Sequence, residues 1–121
     1  MESLDYVPPS NDQIAAAQKE LGFTFTQDYI DFIKSGYDMG DSILEPLEID
    51  SPGSHLDIFE TFASAKKHYE LPTGLLPICE DNSDYYCLNS KGEVVFWSHN
   101  GQTDETWPSI HLWREQMIAE A

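Results

Sequence analysis

Basic residues are scarce in this chain. Only 6 of its 121 residues are Lys or Arg, against 22 Asp or Glu, which gives a formal charge of −16. Nucleic-acid binding is disfavoured, because neutralising phosphates requires Lys and Arg side chains, and anionic membrane surfaces are disfavoured for the same reason. A strong negative field favours a basic protein partner instead. The simpler interpretation is that the acidity only keeps the protein soluble.

Cysteine is scarce too, and its spacing excludes the common metal and redox motifs. Cys79 and Cys87 are the only 2 cysteines, and they form no C-x-x-C pair. A structural zinc site needs four converging ligands, and the histidines stand at unrelated spacings. We therefore expect no metal, no cofactor and no disulfide, with both thiols acting as small buried hydrophobic groups.

Long hydrophobic runs are missing as well. No apolar stretch approaches the roughly 20 residues that a membrane-spanning helix requires. The N-terminus, MESLDYVPPS, lacks the basic and apolar regions of a secretory signal. Neither a linker nor a repeat divides the sequence. We expect a cytoplasmic protein, a monomer by default, whose residues 1–121 form a single domain with residues 1–10 as an extended N-terminal segment.

Two helices are predicted near the N-terminus. Ser10 and Gln13 fit a capping box at the start of the first helix, and Gly22 is placed to end it in a left-handed conformation. Thr26 is the predicted N-cap of the second helix, which Gly36 stops.

The rest of the chain predicts an α+β fold. Short extended pieces follow the second helix, with Pro46 suited to an edge strand or a bend, and a third helix is predicted from an N-cap at Ser54. LLPIC, YYCL and VVFWS then read as three antiparallel strands, the last two joined as a hairpin through NSKG. A last helix is predicted over residues 108–119. We expect the helices to pack on one face of a mainly antiparallel sheet.

No set of residues predicts catalysis. A Cys87–His99 pair would need an orienting group and an oxyanion hole, and the sequence indicates neither. The alternation of YYCL does not show which sheet face the Cys87 thiol occupies, because both faces are apolar. EDNSD is a cluster of oxygen ligands but is better explained as a polar turn than as a calcium loop. We expect no enzyme activity.

Acidic residues concentrate in one region, which we interpret as a partner-binding surface. Between Lys34 and Lys66 the chain has no basic residue and seven acidic ones, and the EDNSD turn adds three more. Three large aromatic residues nearby are candidate anchors. The predicted partner-binding residues are Tyr37, Asp38, Asp41, Glu45, Glu48, Asp50, Asp57, Glu60, Glu80, Asp81, Asp84, Tyr85 and Trp107. The alternative is a solvated acidic loop beside aromatic core residues.

Two blocks of the sequence carry a family resemblance. ELGFTFTQDYIDFIKSG and LLPICEDNSDYYCLNSKGEVVFWSHN, followed by PSIHLWREQMI, resemble in content and order the SUKH superfamily, which includes a yeast cell-wall-assembly regulator and many bacterial immunity proteins. The resemblance covers about residues 14–118. This chain departs from the family pattern at Thr26, Tyr37 and Ser83, where proline, glycine and glycine are usual.

The resemblance implies an immunity protein, which binds a toxin domain and blocks it. Many such toxins are nucleases with basic grooves, so an acidic inhibitor would complement them. Two other functions remain open from the sequence. One is a non-enzymatic regulatory scaffold with several partners, and the other is a module that binds a small molecule or substrate in a groove beside the hairpin.

Overall fold

The computed structural model describes residues 7–121, apart from the side chains of residues 101 and 102. Within that range, four helices and four strands follow each other along the chain. They are α1 (Asn11–Leu21), α2 (Gln27–Lys34), α3 (Ile58–Tyr69), β1 (Leu76–Asp81), β2 (Asp84–Leu88), β3 (Val94–Ser98), β4 (Gly101–Trp107) and α4 (Ile110–Ala119). The α+β prediction is confirmed. The predicted extended segment 1–10 falls mostly on residues 1–6, which lie outside the described residues.

The first two helices begin as their sequences predict. The Ser10 hydroxyl accepts a hydrogen bond from the backbone N–H of Gln13, whose side chain accepts one from the N–H of Ser10. Gly22 ends α1 with a φ of 65°. The Thr26 hydroxyl caps α2. The chain leaves α2 through Ser35 as the C-cap and then Gly36, which has a φ of 89°.

The third helix begins three residues later than predicted. Ser54 is not its N-cap; the carboxylate of Asp57 is, because it accepts hydrogen bonds from the N–H groups of Phe59 and Glu60 at 2.9 and 3.4 Å. The same carboxylate accepts a hydrogen bond from the N–H of Gly53 at 2.9 Å. Asp57 is only 5% exposed. Because it binds N–H groups on both sides, it stabilises the connection before α3 as well as the start of the helix.

The sheet is an antiparallel meander in the order β1-β2-β3-β4. Its fourth strand was not predicted, because GQTDETW has almost no apolar residues to mark a strand. The segment before α3 makes only isolated bridges within the described residues: Pro46 pairs with Cys79 at the outer edge of β1, and Glu48 pairs with Asp57. The N–H of Leu47 also donates to the carbonyl of Ile78 at 2.8 Å. Pro46 is therefore an edge residue, as expected.

The two faces of the sheet contact different helices. One face, with Tyr86, Leu88 and Val94, belongs to the main core beneath α1, α2 and α4. On the other face Tyr85 and Cys87 pack against Ala65 and Leu71 in a second, smaller cluster. The expectation that all helices lie on one face is therefore wrong for α3, which contributes to both clusters. None of the helices in residues 7–121 is both long and apolar enough to cross a membrane.

Candidate protein-binding surface

The tip of the β1–β2 hairpin brings several of the predicted acidic residues together. β1 ends at Asp81 and β2 begins at Asp84, so a two-residue turn joins the strands. Asn82 and Ser83 have φ values of 53° and 73°, as a type I′ turn requires. This turn places Asp81 directly opposite Asp84 in the ladder. Two carboxylates in such a pair repel each other, so the hairpin tip concentrates negative charge at a local cost.

Two adjoining grooves lie beside this tip. The first has a volume of about 250 Å³ and is lined by Glu45, Glu80 and Asp81 together with aliphatic side chains. The second, of about 310 Å³, is lined by Glu60, Tyr69 and Tyr85 among others. His55 and Glu80 line both grooves, which makes them one continuous surface. We call this the hairpin surface and define it by Ile43, Glu45, His55, Glu60, Glu80 and Asp81.

Ile43 is the most exposed large apolar residue of the hairpin surface. Its side chain is 92% exposed, although the groove that it lines also contains Leu44, Leu47 and Leu56. The apolar floor and the exposed isoleucine are framed by carboxylates. Sequence reasoning missed Ile43, because a β-branched residue in SILEPLEI reads as part of a strand. It also missed His55, whose Nε2 lies 3.3 Å from Oε1 of Glu45.

Not all predicted partner residues belong to this surface. Asp38 forms an ion pair with Arg114 of α4, at 3.3 Å between Oδ2 and Nη2, beside a separate cleft. Asp41 is exposed but lines none of the grooves described here. Glu48 accepts a hydrogen bond from the Ser51 hydroxyl, which makes it part of the loop structure.

The three predicted aromatic anchors are buried. Tyr37 is 5% exposed, Tyr85 is 4% exposed and Trp107 is 7% exposed. The Tyr37 hydroxyl donates to Oδ1 of Asp50 and accepts from the N–H of Ile49, both at 3.0 Å. Trp107 donates its indole N–H to Gln116 at 2.8 Å. These side chains therefore support the fold around the surface and present little area to a partner.

Cys87 and His99 are far from the arrangement that nucleophilic catalysis needs. Cys87 is fully buried in the second cluster, and burial raises the pKa of its thiol. Nδ1 of His99 lies 2.9 Å from Oδ1 of Asp84, and its ring lies 4.9 Å from the ring of Tyr69. The His99 side chain therefore contacts Asp84 and Tyr69 just after the end of β3. Tyr85, which pairs with Trp97 of β3, has its pKa raised to about 12 by burial and by the charge of Glu80.

Cys79 is equally unsuited to act as a nucleophile or as a metal ligand. It is fully buried on β1, and burial together with the nearby acidic residues raises the pKa of its thiol to about 12. A protonated thiol is a poor nucleophile and a poor ligand. In the described part of the chain, no three His, Cys, Asp or Glu side chains are grouped closely enough to hold a metal ion.

Two comparisons with known proteins give matches over nearly the whole chain. A family model described as "SUKH_5: SMI1-KNR4 cell-wall" matches residues 2–119. A crystal structure of a protein from Pseudomonas syringae pv. tomato is similar to this structure, with a TM-score of 0.83 and 30% sequence identity. The alignment covers 98% of this chain and 91% of that protein. None of the curated proteins matched the chain.

Proposed function

The chain belongs to the SUKH family, and we propose that it is an immunity protein that binds a cognate toxin domain through the hairpin surface and blocks its activity. One observation carries the assignment of the surface. An exposed isoleucine and a groove floor of three leucines are framed by Glu45, Glu80 and Asp81. An apolar centre with a charged rim is the usual anatomy of a protein-binding site, in which the centre supplies affinity and the rim supplies selectivity.

The charge of the rim indicates the charge of the partner. Among residues 7–121, the hairpin surface contains four carboxylates and no Lys or Arg, in a chain whose formal charge is −16. Such a field accelerates the association of a basic partner and repels an acidic one. Nuclease domains present basic grooves because they bind phosphates. We therefore propose a basic toxin domain of the nuclease type as the partner.

Neutralisation of a toxin also sets the affinity that the surface must supply. A toxin that is lethal in few copies must be held with a dissociation constant of about a nanomolar or below, which corresponds to about −12 kcal/mol. Rim charges alone contribute mainly to the association rate. The apolar centre around Ile43 must therefore supply much of the binding free energy.

The test is a rescue assay in a bacterial host. The candidate toxin is the C-terminal domain of the protein encoded by the neighbouring gene. It is expressed together with the wild-type protein, with Glu45→Lys/Glu80→Lys, or with Cys87→Ser. Wild-type and Cys87→Ser proteins are expected to restore growth, whereas the double charge reversal is expected to fail because the rim would repel a basic domain. Circular dichroism of each variant verifies that it is folded.

A matched control separates the position of the charge from its amount. Glu20→Lys/Glu115→Lys changes the net charge equally, at exposed positions on α1 and α4, and should still rescue. Equal failure of both double variants would contradict the hairpin surface as the binding site. Toxicity that the wild-type protein does not relieve would reject this toxin as the partner and favour the regulatory scaffold.

A further inference from the structure

A larger groove lies at the opposite end of β1 and β2 from the hairpin surface. Its volume is about 580 Å³, within the range of roughly 300–1,000 Å³ that is common for small-molecule sites. It is bounded by the connection from α1 to α2 (residues 21–26), by residues 71–75 before β1, and by Ser90 after β2. Since β1 is six residues long, about 20 Å of strand separates the two sites.

The groove has an apolar floor and a polar rim. Leu21, Phe25 and Leu71 form the floor and are 8, 5 and 6% exposed. The half-buried side chains of Phe23, Phe62 and Leu75 extend the apolar wall. The exposed rim carries hydroxyl groups, from Thr24, Thr73 and Ser90. A ligand with an apolar body and a polar end would match this division.

The charge of the groove is unlike that of the rest of the molecule. The sequence has 22 acidic residues, but among residues 7–121 no carboxylate lines the groove, and Lys66 is the one charged side chain that does. The ammonium group of Lys66 lies 4.1 Å from the centre of the Phe62 ring. No carboxylate among the described residues forms an ion pair with it. The lysine is therefore available to an anion at the mouth of an apolar groove.

We propose that this groove binds an amphiphilic monocarboxylate, with its apolar body against Leu21, Phe25 and Leu71 and its carboxylate beside Lys66. None of the described residues that line this groove also lines the hairpin surface. The groove therefore does not depend on the proposed toxin partner.

The test is an NMR titration of the 15N-labelled full chain with sodium decanoate as the probe, and with 1-decanol as its uncharged counterpart. Saturable shifts of the amide signals of Phe23, Phe25 and Leu75 are expected with decanoate, with weaker binding of decanol. Lys66→Gln should weaken decanoate binding about two- to fivefold, because it removes an ion pair at an exposed position. Lys67→Gln, one residue along α3 and outside the groove, should leave the affinity unchanged.

A second variant tests the rim without disturbing the floor. Thr24→Glu places a carboxylate at an exposed rim position and should weaken decanoate binding more than decanol binding. The absence of saturable shifts in the groove amides would overturn the proposal. So would equal losses for Lys66→Gln and Lys67→Gln, or equal affinities for decanoate and decanol, since either result would show that the lysine does not select an anion.

Discussion

The turns at the two ends of β2 differ in how well their residues fit the backbone conformation. At its C-terminal end, Gly92 takes a φ of 84°, and the side chain of Asn89 accepts hydrogen bonds from the N–H groups of Lys91 and Glu93, each at 3.0 Å. At its N-terminal end, a serine takes a φ of 73° and two aspartates face each other. In the first turn a glycine takes the positive φ. In the second turn a serine takes a positive φ, and two carboxylates face each other.

The unfavourable turn lies where we expect selection for a function and not for stability. Local conflicts between residue and backbone concentrate at functional sites, because the rest of the fold can compensate for them. Ser83 and the Asp81–Asp84 pair lie beside the grooves of the hairpin surface. The turn at Gly92 carries no such conflict. This contrast supports the hairpin tip as the end that meets a partner.

The largest effect on stability is expected at Asp57. This buried acidic residue stabilises the fold, whereas exposed acidic residues are available to a partner. Asp57→Ala should lower the free energy of unfolding by about 2–3 kcal/mol, because three backbone N–H groups lose their acceptor. Urea denaturation measures this loss. Asp41→Ala is the control, an exposed position where a change within about 0.5 kcal/mol is expected. Equal losses would contradict the distinction.

A smaller pair of effects, with opposite signs, tests the two turns directly. Gly92→Ala should destabilise the protein by about 1–2 kcal/mol, since alanine is strained at this positive φ and its Cβ would lie 3.0 Å from the Thr26 methyl group. Ser83→Gly should stabilise it by about 0.5–1 kcal/mol, because glycine adopts this conformation without strain. Thermal or urea unfolding measures both. Stabilisation by both variants, or by neither, would show that the two turns do not differ in the fit of residue to backbone conformation.

The sequence predicted most of the helical structure because caps are local. Ser10, Gln13 and Gly22 act within a few residues of each other, so their pattern is sufficient. The same reasoning failed at α3, where Ser54 and Asp57 are both acceptable caps by residue type. The choice depends on Asp57 also binding the N–H of Gly53 in a buried loop, which is a tertiary fact.

The negative charge of the candidate site was predictable from the sequence, but the exposed or buried position of its aromatic residues was not. The acidic region and the hairpin could be read from the chain, but the burial of Tyr37, Tyr85 and Trp107 could not, because large aromatics suit cores and interfaces equally. β4 was missed because an exposed edge strand needs no apolar alternation. Cys87 faces the second cluster because α3 covers that side, which no period in YYCL indicates.

The affinity of Ile43→Ala and Leu112→Ala for the proposed toxin domain, measured by surface plasmon resonance, is the most direct test of the hairpin surface as the binding site. Both residues are exposed aliphatic side chains, but Leu112 lies on α4 and is 46% exposed. Ile43→Ala is expected to weaken binding about thirtyfold, or about 2 kcal/mol, mainly through faster dissociation, with Leu112→Ala unchanged. Wild-type affinity for Ile43→Ala, or an equal loss for both variants, would contradict the hairpin surface as the binding site.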